Sequence, residues 1–352
     1  MPERGSANRA GASRAGANRA GAKPAGANRA GAKPAGAKRA GARPAARAAA
    51  AGGDGQAARG GTAGGDGQVA RIGVRKTYKL YIGGAFPRSE SGRSYQVTGP
   101  DGGVLANAAL ASRKDARDAV VAARAAVSRW SGATAYNRGQ VLYRVAELLE
   151  GRAAQFAAEI AQSEGGPAAA AAGQVARAID RWVWYAGWTD KISQVAGAAN
   201  PVAGPYFNFS VPEPSGVVSV IAPQRPSLLG LVSVLAPVIA TGNTAVVVAS
   251  EQHPLPAVTL TEVLATSDVP GGVVNLLTGR TAELAPVLAA HMDVNAIDLS
   301  GVAGPARAGL EELAAGNVKR VFAGDDDWAG SPGLRRLVAF LETKTVWHPV
   351  GI

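Results

Sequence analysis

The sequence after Pro214 predicts an α/β fold, a parallel sheet with helices on both faces, and two features carry that prediction. Five short apolar runs rich in β-branched residues recur at Val217–Ala222, Ala245–Ala249, Val273–Leu277, Ala296–Leu299 and Val318–Phe322. Segments of helical length separate them, at Leu228–Ala240, Ala257–Ala265, Ala282–Ala290 and Pro305–Ala315. Strands that read as continuously apolar rather than alternating are those buried on both faces, between two layers of helix. Rossmann-like sheets of this kind take ligands at the carboxyl ends of their strands, near the point where strand order reverses. The glycine-rich phosphate fingerprint is absent, since the first strand runs into Ile221-Ala222-Pro223-Gln224-Arg225-Pro226.

A helical layer and a β-hairpin arm should precede the sheet. Tyr78–Phe86 and Ser94–Thr98 alternate around a Gly83-Gly84 turn, as a hairpin does. Lys114–Trp130 and Asn137–Ala161 carry apolar residues at helical spacing, among them Val141, Leu142, Val145, Leu148 and Leu149. Ala168–Val195 reads as a third helix. Its Trp182, Trp184, Tyr185 and Trp188 have the spacing of a packing stripe.

The N-terminus is a different kind of chain. From Asn8 to Ala45 it repeats a five-residue Asn/Lys-Arg/Pro-Ala-Gly-Ala unit, and GGDGQAAR at Gly52 returns as GGDGQVAR at Gly64. A period of five fits neither helix nor strand, and the composition holds too little apolar surface to offset the entropy of ordering, so disorder is expected. Residues 1–70 carry 12 Lys/Arg against 3 Asp/Glu, nine of the chain's +11 net charges. Such spaced cations attract polyanions without sequence preference.

The full sequence contains no cysteine, which excludes disulfides, thiolate metal sites and a thiolate nucleophile in this chain. His253, His291 and His348 are too scattered to predict a metal site, and each is expected at the surface or in a turn. The most apolar stretch, Ser227–Val248, is broken by Pro237 and by Thr241-Gly242-Asn243-Thr244, so no membrane span is expected. A cytoplasmic protein is the expectation.

The ordered set of segments resembles the coenzyme domain of the NAD(P)-dependent aldehyde dehydrogenases. The resemblance starts at the YIGG turn and NRGQVLYRVAELLEGR at Asn137, then continues through EPSGVVSVIAP at Glu213 and LAPVIATGNTAVVVASEQHPLPA at Leu235. DVPGGVVNLLTGR at Asp268, HMDVNAIDLSG at His291 and NVKRV at Asn317 complete it, over about Tyr78 to Phe322. It divides the chain into residues 1–74, the basic tail; 75–327, a coenzyme-type domain with its helical layer at 110–200 and its sheet at 214–324; and 328–352. That last segment resembles the family's terminal assembly strand through Lys344-Thr345-Val346-Trp347.

The resemblance implies a chemistry in which a Cys thiolate attacks an aldehyde, hydride passes to NAD(P), and a Glu-activated water releases the acid. Several of its positions are altered here. The oxyanion Asn is replaced by Arg225, and the Lys before the ribose contact by Val248, while Glu251 is retained beside Ser250. The turn against the pyrophosphate becomes Leu299-Ser300-Gly301-Val302, in which Ser300 can donate and Gly301 permits close approach. No general-base Glu follows NVKRV. The carboxylates of Asp325, Asp326 and Asp327 stand there instead, expected to be solvated.

No catalytic residue and no metal ligand is therefore assigned. The coenzyme candidates are Ser250, Glu251, Gly279, Ser300 and Gly301, with weak NAD or NADP binding expected. The expected role is a noncatalytic companion of a complete aldehyde dehydrogenase, associating with it or with itself. The alternatives are an NAD(P)-linked oxidoreductase of altered mechanism and a dinucleotide-binding module.

Overall fold

Two cores, one on each face of a five-stranded parallel sheet, organise the protein. The structure is a computed structural model and describes residues 75–324 and 326–351, so the expectation of a disordered tail falls outside the described residues. The sheet comprises β6 (Val217–Ile221), β7 (Thr244–Val248), β8 (Val274–Leu277), β9 (Ala296–Asp298) and β10 (Arg320–Phe322), in the order β10-β9-β6-β7-β8. Along each strand, neighbouring residues enter opposite cores. Val218, Val220, Ala245 and Val247 face one, and Val217, Ile221, Val246 and Val248 face the other. This two-sided burial is why the strands read as unbroken apolar runs.

The chain enters the sheet at its centre, runs outward through β7 and β8, and then returns past β6 to lay down β9 and β10. The order reverses between β6 and β9, so the fold places its ligand crevice at the carboxyl ends of those strands. On one face lie α6 (Ser227–Ala240) and α7 (Leu255–Thr266), with α2 (Ala135–Glu150), α3 (Ala153–Glu164) and α4 (Ala168–Trp188) stacked over them. All 14 residues of α6 are buried, as expected of a helix enclosed between sheet and helical layer. On the other face are α1 (Arg113–Ser131), α8 (Thr281–Ala290) and α9 (Pro305–Ala315). Ser112 starts α1 through a capping box with Asp115, whose carboxylate accepts from Ser112 N at 2.8 Å. Trp130 at its far end donates to the carbonyl of Ile239 at 2.9 Å and so ties α1 to α6.

Several element boundaries differ from the sequence reading. The helix expected over Asn137–Ala161 is two helices, broken at Gly151-Arg152, which lets α3 pack on α4 and α7. The helix expected over Ala168–Val195 stops at Trp188 and resumes as the single turn α5 (Ile192–Ala196). In the arm, the turn at Gly83-Gly84 is present, with φ of +63° and +87°. Tyr81 there meets Leu276 as a single bridge. The ladder runs instead between β2 (Ser94–Thr98) and β3 (Val104–Ala109), with β1 (Thr77–Tyr78) parallel to β3.

A third sheet, in the order β11-β5-β4, joins β4 (Ala198–Asn200) and β5 (Tyr206–Pro214) to the C-terminal β11 (Leu341–Pro349). β11 runs antiparallel to β5 from Leu341↔Pro214 to Pro349↔Tyr206. Just before it, α10 (Leu334–Ala339) packs on α6. The Phe340 carbonyl accepts from Ser215 N at 3.1 Å and from the buried amide of Asn243 at 3.0 Å. These bonds moor the C-terminal segment to the turns that lead into β6 and β7. Among the described residues no helix is long and apolar enough to cross a membrane.

Candidate nucleotide site and its closed neighbour

The site begins with the turns that leave the sheet. After β7 the chain makes a tight turn, Ser250–His253. Buried Ser250 lies with its hydroxyl 3.0 Å from the Gln224 carbonyl and accepts from His253 N at 3.0 Å. The Gln224 side-chain carbonyl accepts from Glu251 N at 2.9 Å and Gln252 N at 3.3 Å. A single amide thus buckles the β6 turn to the β7 turn and fixes where Glu251 stands. The Glu251 carboxylate receives Arg280 Nη1 at 2.6 Å and the first helical N–H of α8, Thr281 N, at 3.0 Å. A carboxylate at that helix end also gains from the helix dipole.

Beside Glu251 opens an apolar cleft of about 550 Å³ between α8 and α9, walled chiefly by Ala285, Pro286, Val302, Leu310 and Leu313. Its chemistry, an apolar lining with one carboxylate, suits an apolar ring joined to a group that bears hydroxyls. Ser250, Glu251 and Gly279 are brought together around the β7 and β8 ends. Gly279 is buried, and a Cβ there would come within 3.2 Å of the Ala111 backbone nitrogen, so its missing side chain serves the packing of the arm.

The other two candidates stand apart, at the end of β9. Ser300 donates its hydroxyl to Asp298 Oδ1 at 2.5 Å, and its backbone N–H reaches the same oxygen at 2.9 Å. Gly301 N donates to Ile221 O at 3.0 Å, and an added Cβ would lie 2.2 Å from the Ala222 carbonyl oxygen. Leu299 N and Val302 N are also bonded, to Phe322 and Leu299 carbonyls. All four backbone donors of the Leu299–Val302 turn therefore have partners within the protein.

The same end of β9 holds a group that sequence reading missed. Arg336, on α10, is buried and forms an ion pair with the fully buried Asp298 at 2.7 Å. Its second nitrogen donates to Ser300 Oγ at 2.8 Å and also pairs with Asp326. The guanidinium lies between the rings of Phe322, at 4.8 Å, and Trp328, at 5.1 Å. Burial pushes the Asp298 carboxyl up, and the charge of Arg336 with the Ser300 hydrogen bonds pulls it back. Alongside, Arg181 of α4 donates to Ser233 Oγ at 2.6 Å and to the carbonyls of Trp328, at 2.7 Å, and Gly330. These two arginines fasten residues 326–336 over the β9 end.

Of the acidic triplet, Asp326 is thus an ion-pair partner, Asp327 accepts from Ala329 N at 2.9 Å, and Asp325 lies outside the described residues. Arg225 donates its Nε–H to His253 Nε2 at 2.9 Å. His253 sits in a turn as expected, but it is buried. Among the described residues no group of three His, Asp or Glu could hold a metal ion.

Residues 86–324 match the model of the aldehyde dehydrogenase family. The chain belongs to this family. Among similar aldehyde dehydrogenase family proteins is the cytosolic 10-formyltetrahydrofolate dehydrogenase of Pongo abelii, 33% identical over 256 residues, which are 70% of this chain and 28% of that protein. The mitochondrial aldehyde dehydrogenase of Leishmania tarentolae is 33% identical over 245 residues, 69% of this chain and 49% of its own length. Among solved structures, the NAD+ complex of the Bacillus cereus aldehyde dehydrogenase superposes with a TM-score of 0.66 at 28% identity, covering 70% of this chain and 50% of that one. The chain therefore spans about half or less of the length of these aldehyde dehydrogenase relatives.

The apolar lining and the carboxylate of the Glu251 cleft are of a chemistry that suits the nucleoside end of a dinucleotide. The turn at the β9 end offers it no free backbone donor, and the hydroxyl of Ser300 is already bonded to Asp298 and Arg336. The residues present thus suit one half of NAD(P) and not the half that would cross the switch point.

Proposed function

We propose that this chain is a noncatalytic companion subunit of a complete aldehyde dehydrogenase. The observation that carries the reading is the β9 end, where, among the described residues, the carboxylate of Asp298, the hydroxyl of Ser300 and the guanidinium of Arg336 are engaged with one another. The cysteine-free sequence supports it independently. So does Arg225, which stands where the resemblance expects an oxyanion donor and gives its Nε–H to His253 instead.

A surface for association is provided by β11. Among the described residues it has one sheet neighbour, β5, and its other edge keeps a row of backbone groups available for a further strand. Tyr206, Phe207 and Trp347 stand exposed around it, with Trp347 edge-on to Tyr206 at 5.7 Å. A partner strand from a full-length relative or from a second copy would cover them. The cytoplasm is the proposed compartment, in line with the cytosolic name of one relative.

Purification of the tagged protein from its own host, followed by mass spectrometry, tests this. A full-length aldehyde dehydrogenase recovered in near-equal amount is the expected result. Recovery of this chain alone, together with NAD(P)H formation from an aldehyde by the purified chain, would replace the companion with an oxidoreductase. A second reading, a nucleotide-binding module, is favoured by the apolar cleft at Glu251 and is compatible with the first.

A further inference from the structure

The arm encloses a polar pocket of about 200 Å³ that shares no lining residue with the Glu251 cleft. Lys79, Arg88 and Arg93 line it, together with Thr77 and Ser94. We propose that it is a phosphoryl-group site, occupied by free phosphate or by a small phosphate monoester.

The backbone of the arm gathers the three cations. Leu80 N donates to the Pro87 carbonyl at 3.1 Å, which sets Lys79 beside Arg88 across the Gly83-Gly84 turn. Leu110 N donates to the Arg93 carbonyl at 3.0 Å and fixes the start of β2 against the end of β3, where Ser94 faces Ala109. Tyr78 and Leu80 are buried, so the alternation of an extended chain turns Thr77 and Lys79 the other way.

Like charges held this closely repel, and nothing in the arm offsets them. Among the described residues, none of Lys79, Arg88 and Arg93 has a carboxylate within ion-pair distance. The two carboxylates beside the Ser89–Gly92 turn are already engaged. Glu90 receives Ser112 Oγ at 3.1 Å and pairs with Lys114 at 3.9 Å. Buried Asp115 accepts from Ser89 Oγ, Glu90 N and Ser112 N. An anionic ligand would supply the missing counter-charge.

A short chain of hydroxyls orients Arg93 beforehand. Ser89 gives its one hydroxyl proton to Asp115 Oδ2 at 2.7 Å, so Ser91 is the donor in the 3.0 Å contact between the two serines. Ser91 Oγ in turn accepts from Arg93 N at 3.3 Å and Nε at 3.4 Å. A guanidinium held through Nε keeps its Nη groups for the two-pronged contact that phosphate oxygens accept. The hydroxyls of Thr77 and Ser94 have no hydrogen-bond partner among the described residues and stand ready to donate as well. Three cations and two hydroxyls exceed what the two oxygens and single charge of a carboxylate can use. A phosphoryl group brings three acceptor oxygens and about two negative charges.

Titration calorimetry on the full chain with inorganic phosphate, glycerol 3-phosphate and glycerol, at constant ionic strength, tests the proposal. At least one of the two phosphates should saturate a single site, and glycerol should not bind. Arg88→Gln should weaken that binding about tenfold, the loss of one charge-assisted bond, and Arg88→Gln with Arg93→Gln about a hundredfold. Both proteins should melt with the parent, since the replaced side chains are exposed. Arg129→Gln, which removes an exposed cation from the last turn of α1, should leave the binding unchanged. Tighter binding of glycerol 3-phosphate assigns the site to an ester, and equal or weaker binding assigns it to free phosphate. Absence of phosphate binding overturns the site. So does binding that survives both replacements in the arm, or that falls equally in Arg129→Gln.

Discussion

Replacing Arg336 with methionine should cost the protein a large part of its stability, and the cost should be repaired at a second site. The pair it belongs to is closed to water: Asp298 is wholly buried, Arg336 has 7% of its side chain exposed, and they meet at 2.7 Å. Methionine matches much of the stem and removes the charge. Asp298 then keeps the two bonds from Ser300 and loses its counter-ion, and a buried ion left alone costs about 3–5 kcal/mol. For a domain of this size each kcal/mol moves Tm by about 2–4 °C, so Tm should fall by roughly 6–20 °C. Adding Asp298→Asn removes the stranded charge while its amide oxygen still accepts from Ser300. At least half of the loss should return in R336M/D298N. Thermal and urea unfolding followed by circular dichroism measure both variants. An R336M protein within about 1 kcal/mol of the parent, or a double variant no better than the single one, would refute the docking of α10 over the β9 end.

Gly301→Ala should destabilise by about 3 kcal/mol in urea unfolding, because its Cβ would meet the Ala222 carbonyl oxygen at 2.2 Å. Trp347→Thr should change stability by less than about 1 kcal/mol, since the ring is 59% exposed, and should shift the oligomer distribution in analytical ultracentrifugation. Acid should loosen the fold through His253 and His291, whose pKa values are lowered chiefly by burial. The unfolded chain then binds protons more readily, so this stability is intact above about pH 6.5 and is lost as the pH falls toward the folded values. His253→Gln should flatten the decline of Tm between about pH 6.5 and 5, and an unchanged slope would count against that assignment.

The central sheet was legible because its strands are buried on both faces, so Val217–Ile221 and Thr244–Val248 present apolar residues at every position. β3 and β5 were not. The first reads VLANAA and the second carries Pro212 and Pro214, so local preference argues against both, and their strand form comes from their neighbours in the sheet. The breaks at Gly151 and Thr189 hid within continuous helical periodicity, because what ends those helices is the path the chain must take over α6 and α7.

In the site, Ser250, Glu251 and Gly279 could be grouped because the turns after successive strands of such a sheet lie side by side. The pairing of Arg336 with Asp298 could not, since the two are 38 residues apart and no period marks a long-range ion pair. Arg181 was equally hidden, inside a helix whose regular feature is its aromatic stripe.

The pairing of β5 with β11 also bears on how the protein is made. β5 precedes the whole central sheet in the chain, and Thr345 of β11 leaves the ribosome 135 residues after its partner Ser210. At about 5–20 residues per second, the edge of β5 waits on the order of ten seconds for the strand that covers it. During that interval Phe207, Phe209 and Val211 form a naked template, and a neighbouring nascent chain on the same message could supply the missing strand first. Translation speed between β5 and β11 would then influence whether two copies exchange their β11 strands.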